Sequence, residues 1–451
     1  MNTAKIYDLK TTYIFMIKLL LTILTIMFSS CQKTSNIITS DIDNFWNAYD
    51  KIRATKDSTL QYKYLDSLYF KKGTEGLKTI RLVRNYTATD YINAINKYPL
   101  FWSSIRKNTL KANQFSKDLD KGIEKLRDIY PELKPAKIYF TVGAFRTPGT
   151  TLDSLVLIGS EFAMADKTTI TSEFPKEIQK GRRTYFDSNP INDIVLLNVH
   201  EYVHTQQKAM VHNILSLAMY EGVAEFVSTK VMNVPSAAPA IEYGRKNKEK
   251  VIKRFEEEMF YPVNKDKWLW GEPHLNEFKV RDLGYYIGFQ MCENFYNSSK
   301  NKKTAIKTLI ELDYNNETEI ENFVNSTGVF TRTLEELYNS FESKRPVVTS
   351  LKQFQNKDIN VSPNITEITV EFSEPLNGYN TGVDFGELGK EAFPGGTLKG
   401  RKWGSQNKSW TIPVKLEPGK HYQILISNNF RTEKGVPLKP FLIDFKTNKT
   451  L

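Results

Sequence analysis

The stretch "LLNVHEYVHTQQ", Leu196–Gln207, holds two of the five histidines of a 451-residue chain, four positions apart, with a glutamate directly after the first. On an α-helix, residues four apart lie on one face one turn apart, so His200 and His204 can offer ring nitrogens to a single zinc ion. Helical periodicity rotates Glu201 about 100° from His200, off the metal but beside a metal-bound water. The surrounding run "IVLLNVHEYVH" is otherwise apolar. Burying two imidazoles and a carboxylate there costs desolvation unless a cation pairs them. The pattern therefore predicts zinc ligands at His200 and His204 and a catalytic base at Glu201.

Working outward, Ser188 or Asn189 can cap this helix, Pro190 suits its first position and Asp193 its first turn. Upstream, "AKIYFTVGAF" (136–145) and "SLVLIGSEFA" (154–163) are β-branched and aromatic runs that predict neighbouring strands, separated by "RTPGTTLD" with its turn residues. The second of these runs is the expected edge for pairing with an extended substrate. Downstream, "LSLAMYEGVAEFVSTKVM" (215–232) predicts a second helix carrying Glu221 and Glu225, which share a face. Either carboxylate can supply the third ligand of an open zinc site. A donor for a developing oxyanion is expected in "RDLGYYIGFQM", where Gly284 and Gly288 allow close backbone approach. Tyr285 is the preferred donor, with Arg281, Tyr286 and His274 of "GEPHLNEF" as alternatives.

His200, Glu201, His204 and Glu221 resemble the HExxH-plus-glutamate pattern of gluzincin zinc metallopeptidases, and "HEYVHTQQ", "EGVAEF" and "GYYIGF" look like a family of predicted bacterial zinc-dependent proteases. The resemblance covers roughly residues 136–300. It implies a zincin-like α+β metallopeptidase domain, Glu221 as metal ligand, Glu225 orienting a ligand histidine, and a peptide or protein substrate. Two other readings use the same residues: a catalytically weak zincin-like lipoprotein that captures a peptide or glycan, and an envelope protein whose zinc staples helices.

At the N terminus, Lys5, Lys10 and Lys18 precede "LLLTILTIMF" (19–28) and "SSC". The apolar run is short for a bilayer span and reads as a signal-peptide core. "FSSCQK" resembles a bacterial lipoprotein cleavage box, which implies lipidation at Cys31, a membrane anchor and a place in the cell envelope. Cys292 is then the remaining cysteine and is expected as a packed thiol. Residues 41–130 have apolar residues at helical spacing. From Arg345 onward, alternating segments broken by Pro, Gly and Asn predict a small β-sandwich. "FSEPLNG", "LEPGKHYQILI" and "GVPLKPFLIDFKT" resemble a bacterial immunoglobulin-like module. The expected organisation is a signal peptide over 1–31, a zincin-like domain over 32–344 and the immunoglobulin-like sandwich over 345–451. The net charge of +11 is spread through mixed runs such as "KNKEKVIKRFEEE", so nucleic-acid binding is not expected.

Overall fold

The computed structural model describes residues 36–395 and 399–449. The expected signal peptide and Cys31 lie outside the described residues. The fold is α+β with separate small sheets, and its chain divides into two compact units. Among the described residues, one comprises the chain up to Glu124 together with Lys134–Thr205; the other comprises Lys125–Leu133 and the chain from Gln206 onward.

In the first unit a short strand β1 (Ile37–Ile38) leads into helices α1 (Ser40–Arg53), α2 (Glu75–Val83), α3 (Ala88–Lys97) and α4 (Pro99–Thr109). Their buried faces are aromatic: Phe45, Trp46, Tyr91, Phe101 and Trp102 are all sealed from solvent. Thr87 and Asp90 form a reciprocal capping box that starts α3. The sheet adds β2 (Lys137–Thr141), β3 (Gly149–Leu152) and β4 (Leu155–Gly159) in the order β1-β2-β4-β3. β2 runs parallel to both β1 and β4, and β3 returns antiparallel on β4. Ile138, Phe140, Val156, Leu157 and Ile158 are fully buried, as a sheet covered by helices requires.

Two sequence expectations are corrected here. "PGTTL", read as turn, contains a strand; its β-branched threonines become β3 because β4 offers a partner. Consequently β4 is an inner strand, and β3, paired among the described residues only with β4, is the edge. The amide of Gly159 donates to the Pro148 carbonyl at 2.9 Å. Since antiparallel pairs alternate, the main-chain groups of Thr150 also face β4, and those of Gly149 and Thr151 point to the outer side.

The helix α5 (Ile194–His204) carries the quoted motif. It does not begin at Pro190 under a Ser or Asn cap. Asn189 is left-handed at φ +55°, Pro190–Asp193 form a 3₁₀ turn, and no side chain caps either segment. Tyr202 ties α5 to the entrance of β2, accepting from the Ala136 amide at 2.8 Å and donating to the Lys134 carbonyl at 3.3 Å.

In the second unit, α6 (Ile214–Met232) starts under Asn213, whose side chain accepts from the Ser216 amide at 2.8 Å. It is buried on nearly every side. α7 (Pro239–Lys246) packs Gly244 against the Tyr286 ring of α8 (Leu283–Ser298). α6 and α8 cross at two glycines, where a Cβ on Gly222 would stand 2.3 Å from the Gly288 carbonyl carbon and one on Gly288 would stand 2.0 Å from the Ala218 oxygen. Cys292 on α8 is a buried free thiol, pushed upward in pKa by its burial.

The same unit ends in β5 (Val348–Leu351), β6 (Glu367–Phe372), β7 (Val383–Asp384), β8 (Lys402–Trp403), β9 (Ser409–Pro413), β10 (His421–Ile426) and β11 (Phe441–Lys446). These form sheets of order β5-β6-β9-β8 and β11-β10-β7 around a shared core that includes Val370, Trp410, Ile424 and Phe445. Among the described residues no helix is long and apolar enough to cross a membrane.

Candidate metal centre

α5 presents His200 and His204 on one face because they are one turn apart, and both are under 10% exposed. Their rings meet nearly perpendicular, and the two Nε2 atoms stand 3.1 Å apart. Two nitrogens bound to one tetrahedral zinc at about 2.05 Å would stand roughly 3.3 Å apart. Glu201 is turned away from that pair toward β3. Its Oε2 accepts from the Thr151 hydroxyl at 2.8 Å, and the same hydroxyl reaches the Glu201 carbonyl at 3.1 Å. A Cβ on Gly149 would lie 2.7 Å from Glu201 Oε1, so glycine there lets the edge strand lie close against this carboxylate without displacing it. Neither Thr151 nor Gly149 stood out in the sequence, since both belonged to the presumed turn.

On α6, Glu221 and Glu225 are both buried. Glu225 accepts from the Ser236 hydroxyl at 2.5 Å. Tyr285 of α8 hydrogen-bonds to the Glu221 carboxylate; burial first, and then that carboxylate, hold its phenol well above the usual range. Its oxygen accepts from the Trp270 indole N–H at 3.3 Å. Asp282 receives the Trp270 amide at 2.6 Å, and Arg281 donates to the Trp270 carbonyl at 3.2 Å. Tyr286 is a core aromatic, fully buried with its hydroxyl on Gln290 at 3.4 Å. His274 is exposed on the turn Pro273–Leu275. Trp270 and Asp282 were not anticipated; the only hint is an aromatic in the Gly- and Pro-punctuated segment "WLWGEPHL".

Among the described residues, one group of His, Cys, Asp or Glu side chains converges closely enough to hold an ion. It comprises His200, His204 and Glu221, with one ligand atom from each, all within 4.8 Å of one another. Two neutral imidazoles and one carboxylate suit zinc in charge and softness.

The comparisons with known proteins decide what this donor set does not. Residues 29–320, well over half of the chain, match the lipoprotein family described as Gliding motility protein GldB. This overturns the peptidase assignment and the hydrolase reading built on it, because the family is not a zinc peptidase family; Glu201 as base and Tyr285 as oxyanion donor were expectations drawn from that assignment. A geometry that two histidines and a glutamate share with peptidases is local and does not specify peptide hydrolysis. No curated protein matches the chain. Among solved structures, the S-layer protein rSbsC(31-844) aligns at 10% identity over 91% of this chain and 45% of that one, with a TM-score of 0.16. Surface layer protein SbsC, domains 1-6, aligns at 11% identity over the same shares, with a TM-score of 0.17. The chain thus spans under half the length of these structures. The chain belongs to the GldB lipoprotein family and is a lipid-anchored protein of the cell envelope.

Proposed function

We propose that this lipoprotein serves gliding motility as a binding component of the envelope, with a divalent ion, zinc by donor chemistry, held by His200, His204 and Glu221. The observation that carries the metal reading is the 3.1 Å approach of two buried Nε2 atoms. The ion would add to the stability of the folded chain, because binding free energy at a site that exists only in the folded chain adds to folding free energy.

The ligand class we favour is an extended polypeptide segment of a partner. β3 is an edge strand whose outward main-chain groups at Thr151 and the outward amide of Gly149 can pair with an added strand, the Gly149 carbonyl already accepting from the Thr147 hydroxyl, and Glu201 braces that strand through Thr151. Main-chain pairing of this kind gives affinity without requiring a reaction.

The test begins with metal analysis of the purified protein. About one zinc per chain is expected, and His204→Ala should lose most of it, since one of three ligands is gone. Retention of full zinc by that variant would overturn the metal site. Gliding by cells carrying His204→Ala in place of the wild type should fall, whereas normal gliding with zinc lost would separate the ion from the motility role.

A further inference from the structure

Trp270 combines three features that seldom coincide. Its backbone is left-handed at φ +62°, a conformation that bulky L-residues rarely adopt. The residue is 42% exposed, although the one before it, Leu269, is fully buried. Its main chain is nonetheless pinned at both ends: the amide donates to Asp282 Oδ1 at 2.6 Å, and the carbonyl accepts from Arg281 at 3.2 Å. Asp282 is itself left-handed at φ +62°. Two such residues, bonded to each other, hold one indole in one orientation, and strain of this kind persists only where surrounding contacts enforce it.

That orientation sends the indole N–H to the Tyr285 oxygen at 3.3 Å. An indole nitrogen can only donate, and a phenol has a single proton. With one lone pair of Tyr285 engaged by Trp270, its proton is directed to its other partner, the Glu221 carboxylate. The polarity of the chain is therefore set: Trp270 N–H to Tyr285 O–H to Glu221.

We propose that Trp270 is a positioning residue of the metal centre, acting through Tyr285 to hold the Glu221 carboxylate in its ligating orientation. This rests on the metal-binding reading of Glu221. Partners one shell out from a metal fix the direction and basicity of its ligands, and their loss commonly weakens binding by about 10- to 100-fold. An exposed side chain thereby bears on the affinity of a buried ligand.

The experiment is a zinc-affinity cycle on the full-length protein in detergent, read by competition with a chromogenic chelator. Tyr285→Phe is expected to weaken zinc by roughly 10- to 100-fold, and Trp270→Phe by about 3- to 10-fold. In the Tyr285→Phe background, Trp270→Phe should add nothing, because its only route to Glu221 is gone. Trp270→His, which keeps an N–H at similar reach from Cβ, should recover most of the affinity and also serves if Trp270→Phe fails to fold. Two outcomes overturn the proposal while leaving the metal reading intact: unchanged zinc affinity in Trp270→Phe, or effects of the two substitutions that simply add. A wild type that binds no zinc, by contrast, removes the metal reading and this inference together.

Discussion

Gly288→Ala tests whether the crossing of α6 and α8 is as tight as the two glycines imply. The added methyl would sit 2.0 Å from the Ala218 carbonyl oxygen and 3.0 Å from the Gly222 Cα. Ordinary van der Waals separation is more than 3 Å, so the helices must part by roughly 1 Å or more. Both obstructing atoms are backbone, so no rotamer change relieves the clash. Alanine in a helix interior is otherwise favoured over glycine by about 1 kcal/mol. Overpacking a closed core costs about 1–3 kcal/mol, and more where the neighbours cannot yield. With backbone on both sides the cost falls at or above about 3 kcal/mol, so after the gain of about 1 kcal/mol from alanine the net loss is roughly 2 kcal/mol, which for a unit of this size lowers the melting temperature by about 4–8 °C. Thermal denaturation followed by circular dichroism measures it. Gly181→Ala is the control, because a Cβ there meets nothing within 4 Å; it should melt at or slightly above the wild type. Since Glu221 adjoins Gly222 and Tyr285 lies one turn before Gly288, Gly288→Ala should also weaken zinc. A Gly288→Ala protein that melts within about 1 °C of the wild type would refute the account of the crossing.

Two further outcomes are expected. Glu161 is fully buried, accepting from the Gly143 amide at 2.8 Å and the Phe145 amide at 3.2 Å, and burial raises its pKa from the ordinary 4.5 to about 7. The folded state thus binds the proton more tightly, so this group's contribution is greatest below pH 4.5 and declines by up to roughly 3 kcal/mol as pH rises to about 7. Glu161→Gln should flatten that part of the stability–pH curve in urea titrations, and an unaltered slope would count against the assignment. Cys292, buried with its thiol pushed upward, should resist a thiol reagent in the native protein and react only in denaturant, as followed on its peptide by mass spectrometry; rapid native labelling would contradict its packing.

The elements whose signal is periodic were legible in the amino-acid sequence alone. The motif helix, the helix of Glu221, the buried strands β2 and β4 and the alternating segments that became β6, β9, β10 and β11 all announce themselves through spacing of apolar residues. So did the co-location of His200 and His204, because four residues is one helical turn wherever the helix sits. What spacing could not reach was set by partners distant in the chain. β3 is a strand only because β4 lies beside it, and "PGTTL" taken alone favours a turn. The start of α5 has no capping side chain; its entry is shaped by a left-handed Asn189 and a 3₁₀ turn. Tyr285 was visible as a tyrosine near glycines, but its bond to Glu221 and its fixing by Trp270 depend on a loop fold that no period encodes. Activity was the least legible of all. The HExxH pattern specifies donors on a helix face, whereas hydrolysis requires the whole surrounding site. Helical periodicity is a short-range property of the backbone, and strand pairing, proton direction and ligand orientation arise from contacts that exist only once the chain has closed on itself.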